Sequence, residues 1–213
     1  MIIARPDLRQ KALAAYSLVE LIVVSGVVML LVSLAVPSVL DVLNAMRMSH
    51  AAEMIRERLT EARGLAGTHN RDVEVRFYRT GGGALHEEDS GHGVQLFRIN
   101  DQANPAISRE AAELQMIADG VEDRLPLSVQ FSLNDELTSI WKLPVMSVHT
   151  QKGLREYVAF RFRPDGSTDL AEGRKWTISL VPQKQAAASI LPANFVVFMI
   201  DPATGHLSSF RPD

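Results

Sequence analysis

Residues Tyr16 to Val36 read YSLVELIVVSGVVMLLVSLAV, and how this stretch is read decides how the rest of the chain is read. Its one charged residue is Glu20. From Leu21 to Val36 every residue is uncharged, and only Ser25, Gly26 and Ser33 interrupt the apolar run. The length meets the roughly 20 residues that an α-helix needs to cross a bilayer. Upstream, Met1 to Ala15 read MIIARPDLRQKALAA, in which Arg5, Arg9 and Lys11 outweigh Asp7. Positive residues ahead of an apolar run put that side in the cytoplasm and send the remainder across the membrane. A secretory signal peptide, with Ser33-Leu34-Ala35 as its small-x-small cleavage site, and a simple membrane anchor are the two plain readings. The run is long for a signal peptide, and Glu20 counts against both. A carboxylate at the centre of an apolar span costs about 2.5–3.5 kcal/mol, less near its end, and marks a functional residue by default.

Downstream of Pro37, apolar residues recur at Val39, Leu43, Met46, Met54, Leu59 and Ala62, with Ala51 filling one step. This spacing predicts an amphipathic helix with Arg56, Glu57, Arg58 and Glu61 on its wet side. Met46, Met48 and Met54 read as core packing. Gly64 and Gly67 mark its expected end. A proline inside a long helix kinks it rather than necessarily ending it, so a single helix from about Tyr16 to about Leu65 is expected, bent at Pro37.

Beyond Asn70 the period changes from 3.6 to 2. Val73, Val75 and Phe77 alternate with Glu74 and Arg76 as in a half-buried strand. Further strands are expected around Val94 to Ile99, Leu127 to Leu133, Val158 to Phe162 and Trp176 to Leu180. Phe195 to Ile200 is a continuous apolar run, and Ala203-Thr204-Gly205 turns the chain into a last strand, His206 to Arg211. Glu110 to Ala118 reads as a short helix. No helical pattern separates the strands, which argues against a parallel βαβ sheet.

Composition removes several functions. With no cysteine, there are no disulfides, thiolate nucleophiles or Cys-ligated metal centres. The net charge is −3, of which the first fifteen residues supply +2, so the remaining chain carries −5 and has no global field for nucleic acid. Gly81-Gly82-Gly83 is followed by no Lys-Ser/Thr, so it is no phosphate loop. No Gly-x-Ser-x-Gly elbow occurs, and no serine or histidine is ordered into a triad, so the chain reads as no enzyme and as needing no cofactor. His86-Glu87-Glu88-Asp89-Ser90-Gly91-His92 collects metal-binding residue types, but the spacing matches no zinc or EF-hand motif and reads as a polar hairpin loop, so no metal site is assigned. Trp141 and Trp176 are expected in or beside the core.

The string Ala15-Tyr16-Ser17-Leu18-Val19-Glu20-Leu21-Ile22-Val23-Val24 resembles the processing signal of type IV pilins and type II secretion pseudopilins. That pattern is a basic leader, a small residue, a cut, an aromatic residue, a serine or threonine, two aliphatics and a glutamate. The chain departs from it with Ala15 where glycine is preferred and Tyr16 where phenylalanine is usual. Phe162-Arg163-Pro164-Asp165-Gly166 and Asp201-Pro202-Ala203-Thr204-Gly205 resemble the two terminal turns of GspH/FimT-like pseudopilins. More narrowly, Val73 to Tyr78, Gln95 to Phe97 and Phe160 to Leu170 look like the family called Verru_Chthon cassette protein D.

The resemblance implies an α+β, pilin-like fold: a long N-terminal helix, transmembrane in its first half and amphipathic in its second, packed on an antiparallel β-sandwich. Its parts would be a prepilin leader at 1–15, a transmembrane helix at 16–36, the amphipathic continuation at 37–67 and a β-rich periplasmic or extracellular domain at 68–213. It further implies that prepilin peptidase cuts between Ala15 and Tyr16, that the new amine on Tyr16 is methylated, and that Glu20 pairs with the N-terminal amine of a neighbouring subunit. A carboxylate in hydrocarbon is tolerated when it is paired in this way. The implied protein is a minor structural subunit of a type IV pilus or a type II secretion-like pseudopilus. It would be single-pass in the bacterial inner membrane, with its N-terminus cytoplasmic, and its partners would be prepilin peptidase and other pilin or pseudopilin subunits. The alternative is a DNA-binding minor pilin for DNA uptake, for which Arg155, Arg161, Arg163, Arg174 and Lys175 would have to form a local patch.

Overall fold

The computed structural model describes residues 17–78, 93–99, 116–150 and 153–212. Helix α1 runs over Leu18–His69. Its start follows from Ser17, whose Oγ accepts the Glu20 amide at 3.1 Å and so satisfies one of the otherwise unpaired donors of the first turn. Its end is set by Asn70, which takes a left-handed conformation at φ 51° while the Arg71 amide closes onto the Ala66 carbonyl. Gly64 and Gly67 lie within the helix rather than ending it. Pro37 also falls within its bounds.

The chain divides into two compact units, Met1–Leu43 and Asn44–Asp213. The second unit is mostly β. Among the described residues it holds nine strands: β1 Val73–Tyr78, β2 Gly93–Ile99, β3 Met116–Arg124, β4 Val129–Phe131, β5 Met146–Thr150, β6 Gly153–Phe162, β7 Trp176–Pro182, β8 Val196–Ile200 and β9 Leu207–Phe210. They form a five-stranded sheet in the order β3-β2-β1-β6-β5 and a four-stranded sheet in the order β4-β7-β8-β9, with every pairing antiparallel.

One core joins these elements. Val73, Val75 and Phe77 point into it from β1, Phe160 and Phe162 from β6, and Ile178, Leu180 and Phe198 from the second sheet. Phe77 and Phe131 meet edge to face at 5.7 Å and tie the two sheets together. The part of α1 within this unit adds Met48, Ala51, Ile55, Leu59, Ala62 and Ala66, whose steps of three and four residues trace one face of a helix. That stripe is offset from the expected one: Met46 is 63% exposed, whereas Met48 is buried.

The expected plan of a long helix, half transmembrane and half amphipathic, packed on an antiparallel sandwich is not what the structure shows. Among the described residues, no helix is long and apolar enough to cross a membrane. Residues 18–33 of α1 carry Glu20, Ser25, Gly26 and Ser33 among their apolar side chains. The body is a mostly-β unit to which only residues 44–69 of α1 belong. The transmembrane description of residues 16–36, and the single-pass inner-membrane location with a periplasmic C-terminal domain, are overturned by the same finding. The short helix expected at Glu110 to Ala118 is also corrected where it is described, because Met116 begins β3.

Candidate functional site

Two regions stand out, one in each unit. The first is the outer end of α1. Leu18, Val19, Leu21, Ile22, Val23 and Val24 are all exposed, Leu18 by 76%, and the exposure continues through Val27, Leu30 and Val32. A helix that is apolar all round is normally buried, so this surface is one that another apolar surface would cover. The polar residues within it are satisfied locally. Ser25 Oγ donates to the Leu21 carbonyl at 2.7 Å and Ser33 Oγ to the Leu30 carbonyl at 2.8 Å. Glu20 stands in the first turn, where a negative charge is favoured by the helix dipole. With Ser17 it matches the Ser-x-x-Glu sequence pattern of a capping box, of which the Ser17 half, the Glu20 amide donating to Ser17 Oγ, is formed.

The second region is the outward face of the five-stranded sheet. Because β1 lies between β2 and β6, Glu74 stands opposite both Phe97 and Arg161, and Tyr78 opposite both Gly93 and Tyr157. Glu74 is 2% exposed and Arg76 6%, although both belong to the face expected to be wet. Burial is tolerated because the charges are paired. Arg76 Nε donates to Glu74 Oε1 at 2.7 Å, and Arg161 Nε donates to Glu74 Oε2 at 2.9 Å. The Arg76 guanidinium also lies 3.9 Å from the Phe97 ring centre and 4.5 Å from that of Tyr157.

Alongside, Arg155 grips Glu122 with two hydrogen bonds, 2.7 and 3.0 Å, and lies 4.3 Å from the Tyr78 ring centre. Gly93 makes room for this pair, since a Cβ there would overlap the Glu122 carboxylate. Burial pushes the Tyr78 hydroxyl pKa up, and its oxygen donates to Gln95 Oε1 at 3.1 Å. Chemically, this is a ladder of carboxylates, guanidiniums and rings paired with one another, in which Arg161 Nη2 lies 2.9 Å from Glu74 Oε2 as an ion pair without an aligned hydrogen bond.

The expected residues fall as follows. Ala15, Tyr16 and the loop His86 to His92 lie outside the described residues. Glu20 is exposed on α1, and among the described residues its carboxylate makes no hydrogen bond or ion pair. The cations considered for DNA are not gathered into one free patch. Arg155 and Arg161 are engaged by Glu122 and Glu74, Arg163 reaches Ser167, and Arg174 lies 5.6 Å from the Trp176 ring in the stretch leading to β7.

The two quoted turns do come together. The Thr168 amide donates to the Pro202 carbonyl at 2.8 Å, and Gly205 sits against the Gly166 carbonyl and the Phe162 ring. Both tryptophans are buried, with Trp141 Nε1 donating to the Ser132 carbonyl at 2.7 Å and Trp176 Nε1 to that of Ala171 at 2.9 Å. No family model, curated protein or solved structure matches the chain.

Proposed function

We propose that the chain is a structural, non-enzymatic subunit of a type IV pilus or type II secretion-like filament, cut by prepilin peptidase between Ala15 and Tyr16 and assembled with other subunits through the N-terminal end of α1 as a minor component. The observation that carries this reading is the uncovered apolar surface of α1 at residues 18–32, with one carboxylate, Glu20, in its first turn. Apolar side chains crowded at this density associate, and a bundle of like helices is the simplest cover that the chain itself can supply. In such a bundle the Glu20 carboxylate needs a cation, and a freed amine on Tyr16 of a neighbouring copy is a cation at the right end of the helix.

The processing claim is tested by mass spectrometry of the protein isolated from the cells that make it. An N-terminus at Tyr16, with or without an added methyl, supports the reading, and one at Met1 or Val36 overturns it. The role of Glu20 is tested by Glu20→Gln, which keeps a capping-box residue but removes the charge. Assembly into filaments should be impaired in this variant while α1 is kept. Undiminished assembly would remove the assembly role given to Glu20.

A further inference from the structure

We propose that the segment Ser209 to Arg211 is a strap that fixes the point at which α1 joins the β unit. Where the helix enters that unit, packing gives it little hold. Asn44, Met46 and Arg47 are exposed, Ala45 is half-buried, and Met48 is the first buried side chain. The attachment ahead of Met48 is polar and comes from the other end of the chain. Arg211 Nη1 donates to Ser49 Oγ at 2.6 Å, and its Nη2 donates to the Ala45 carbonyl at 3.5 Å. Ser49 Oγ in turn donates to that same Ala45 carbonyl at 3.0 Å, so one guanidinium closes a small ring of hydrogen bonds across one helical turn. Two turns further on, Arg56 Nη2 donates to Ser209 Oγ at 2.5 Å, which ties β9 itself to the helix.

Ser209 faces α1 because β9 alternates. Ser209 stands opposite the buried Phe198, while its neighbour Phe210 stands opposite Val197 and is exposed. The strap is therefore set by the register of β9 on β8. With Arg211 engaged, the helix is held from Ala45 onward. With Arg211 released, the helix is held only from Met48, and the turn before it opens on its own. This goes beyond the assembly reading and holds whether or not the chain is cut after Ala15.

Amide hydrogen exchange on the full chain tests it. In Arg211→Ala, exchange at residues 45–50 should rise about tenfold, the size expected when a charged hydrogen-bond donor is lost from a surface turn, while residues 55–66 keep wild-type rates. Ser49→Ala should raise the same amides, and Arg211→Ala combined with it should add little, because both remove one ring of bonds. Arg211→Lys should restore protection only in part, since one ammonium cannot reproduce the fork. Unchanged exchange at residues 45–50 in both single variants would overturn the strap. So would a rise shared equally by residues 55–66, since that would show a loss of global stability instead.

Discussion

Gly205 shows how much a single position can carry. Its φ is +61°, and a Cβ there would run into the Gly166 carbonyl and the Phe162 ring. Left-handed backbone costs a non-glycine residue about 1–2 kcal/mol before any overlap is counted. Gly205→Ala should therefore lower Tm by several degrees in a thermal melt, and an unchanged melt would show that the two turns can part freely. Asp72 carries a charge effect of the opposite kind to the turn aspartates. Burial pushes its carboxyl pKa up, and the opposing pull of Arg161 and Arg163 does not cancel this. A carboxyl whose pKa is raised on folding weakens the fold above its unfolded pKa, and that cost disappears as pH falls. Asp72→Asn should raise Tm at pH 7, with the gain vanishing below about pH 4. For Asp165 and Asp201 the sign reverses. Hydrogen bonds from Ser167 and Thr204 hold these carboxyls below the usual range, so their contribution is present at neutral pH and fades in acid.

At the scale of elements, the outward face of the five-stranded sheet rests on one buried carboxylate shared by two guanidiniums. Removing one partner of such a group leaves uncompensated charge and costs about 3–5 kcal/mol, whereas replacing the whole group with apolar residues is often neutral. Glu74→Ala should therefore lower the urea midpoint sharply, and Glu74→Leu combined with Arg76→Met and Arg161→Leu should recover much of the loss. If the triple variant is as weak as the single, the charges specify the sheet rather than merely satisfy each other. Strand β1 was legible in the sequence from the alternation of Val73, Val75 and Phe77, but the burial of its other face was not. Arg161 is 87 residues from Glu74, and no local pattern announces that pairing. Strands β3 and β5 were missed for a related reason. Both are edge strands, and β3 carries Asp119, Glu122 and Asp123 with a register shift between Val94 and Leu96 on its neighbour, so apolar alternation has nothing to act on. The stop of α1 lies past Gly64 and Gly67, the residues that the sequence offers as its end, because Asn70 takes the left-handed conformation that caps it. At the candidate site, Glu20 is legible as the one charge in an apolar run, whereas the capping of its amide by Ser17 becomes a reading only once the helix is known to start there.

At the scale of the whole molecule, the densest exposed apolar surface among the described residues belongs to α1. The edges of the two sheets are poor templates for strand addition: β3 is charged and irregular, β4 has three residues, β5 five and β9 four. Among the described residues, the densest run of large exposed apolar side chains is residues 18–32 of the first unit, whereas Val121, Leu127, Ile190 and Phe210 of the second unit are exposed singly. Among the described residues, the buried core of the second unit begins at Met48. A chain of residues 44–213 should therefore unfold in one cooperative step and remain monomeric by light scattering at tens of micromolar. The chain from Tyr16 onward should associate in a concentration-dependent way under the same conditions. Adding charge to the uncovered surface separates this from a general loss of solubility. Val23→Lys with Leu30→Lys in the longer chain should return it to a monomer without altering the melt of the β unit. Association of the 44–213 chain to the same extent would move the interface onto the β unit and leave the outer helix without the role proposed for it.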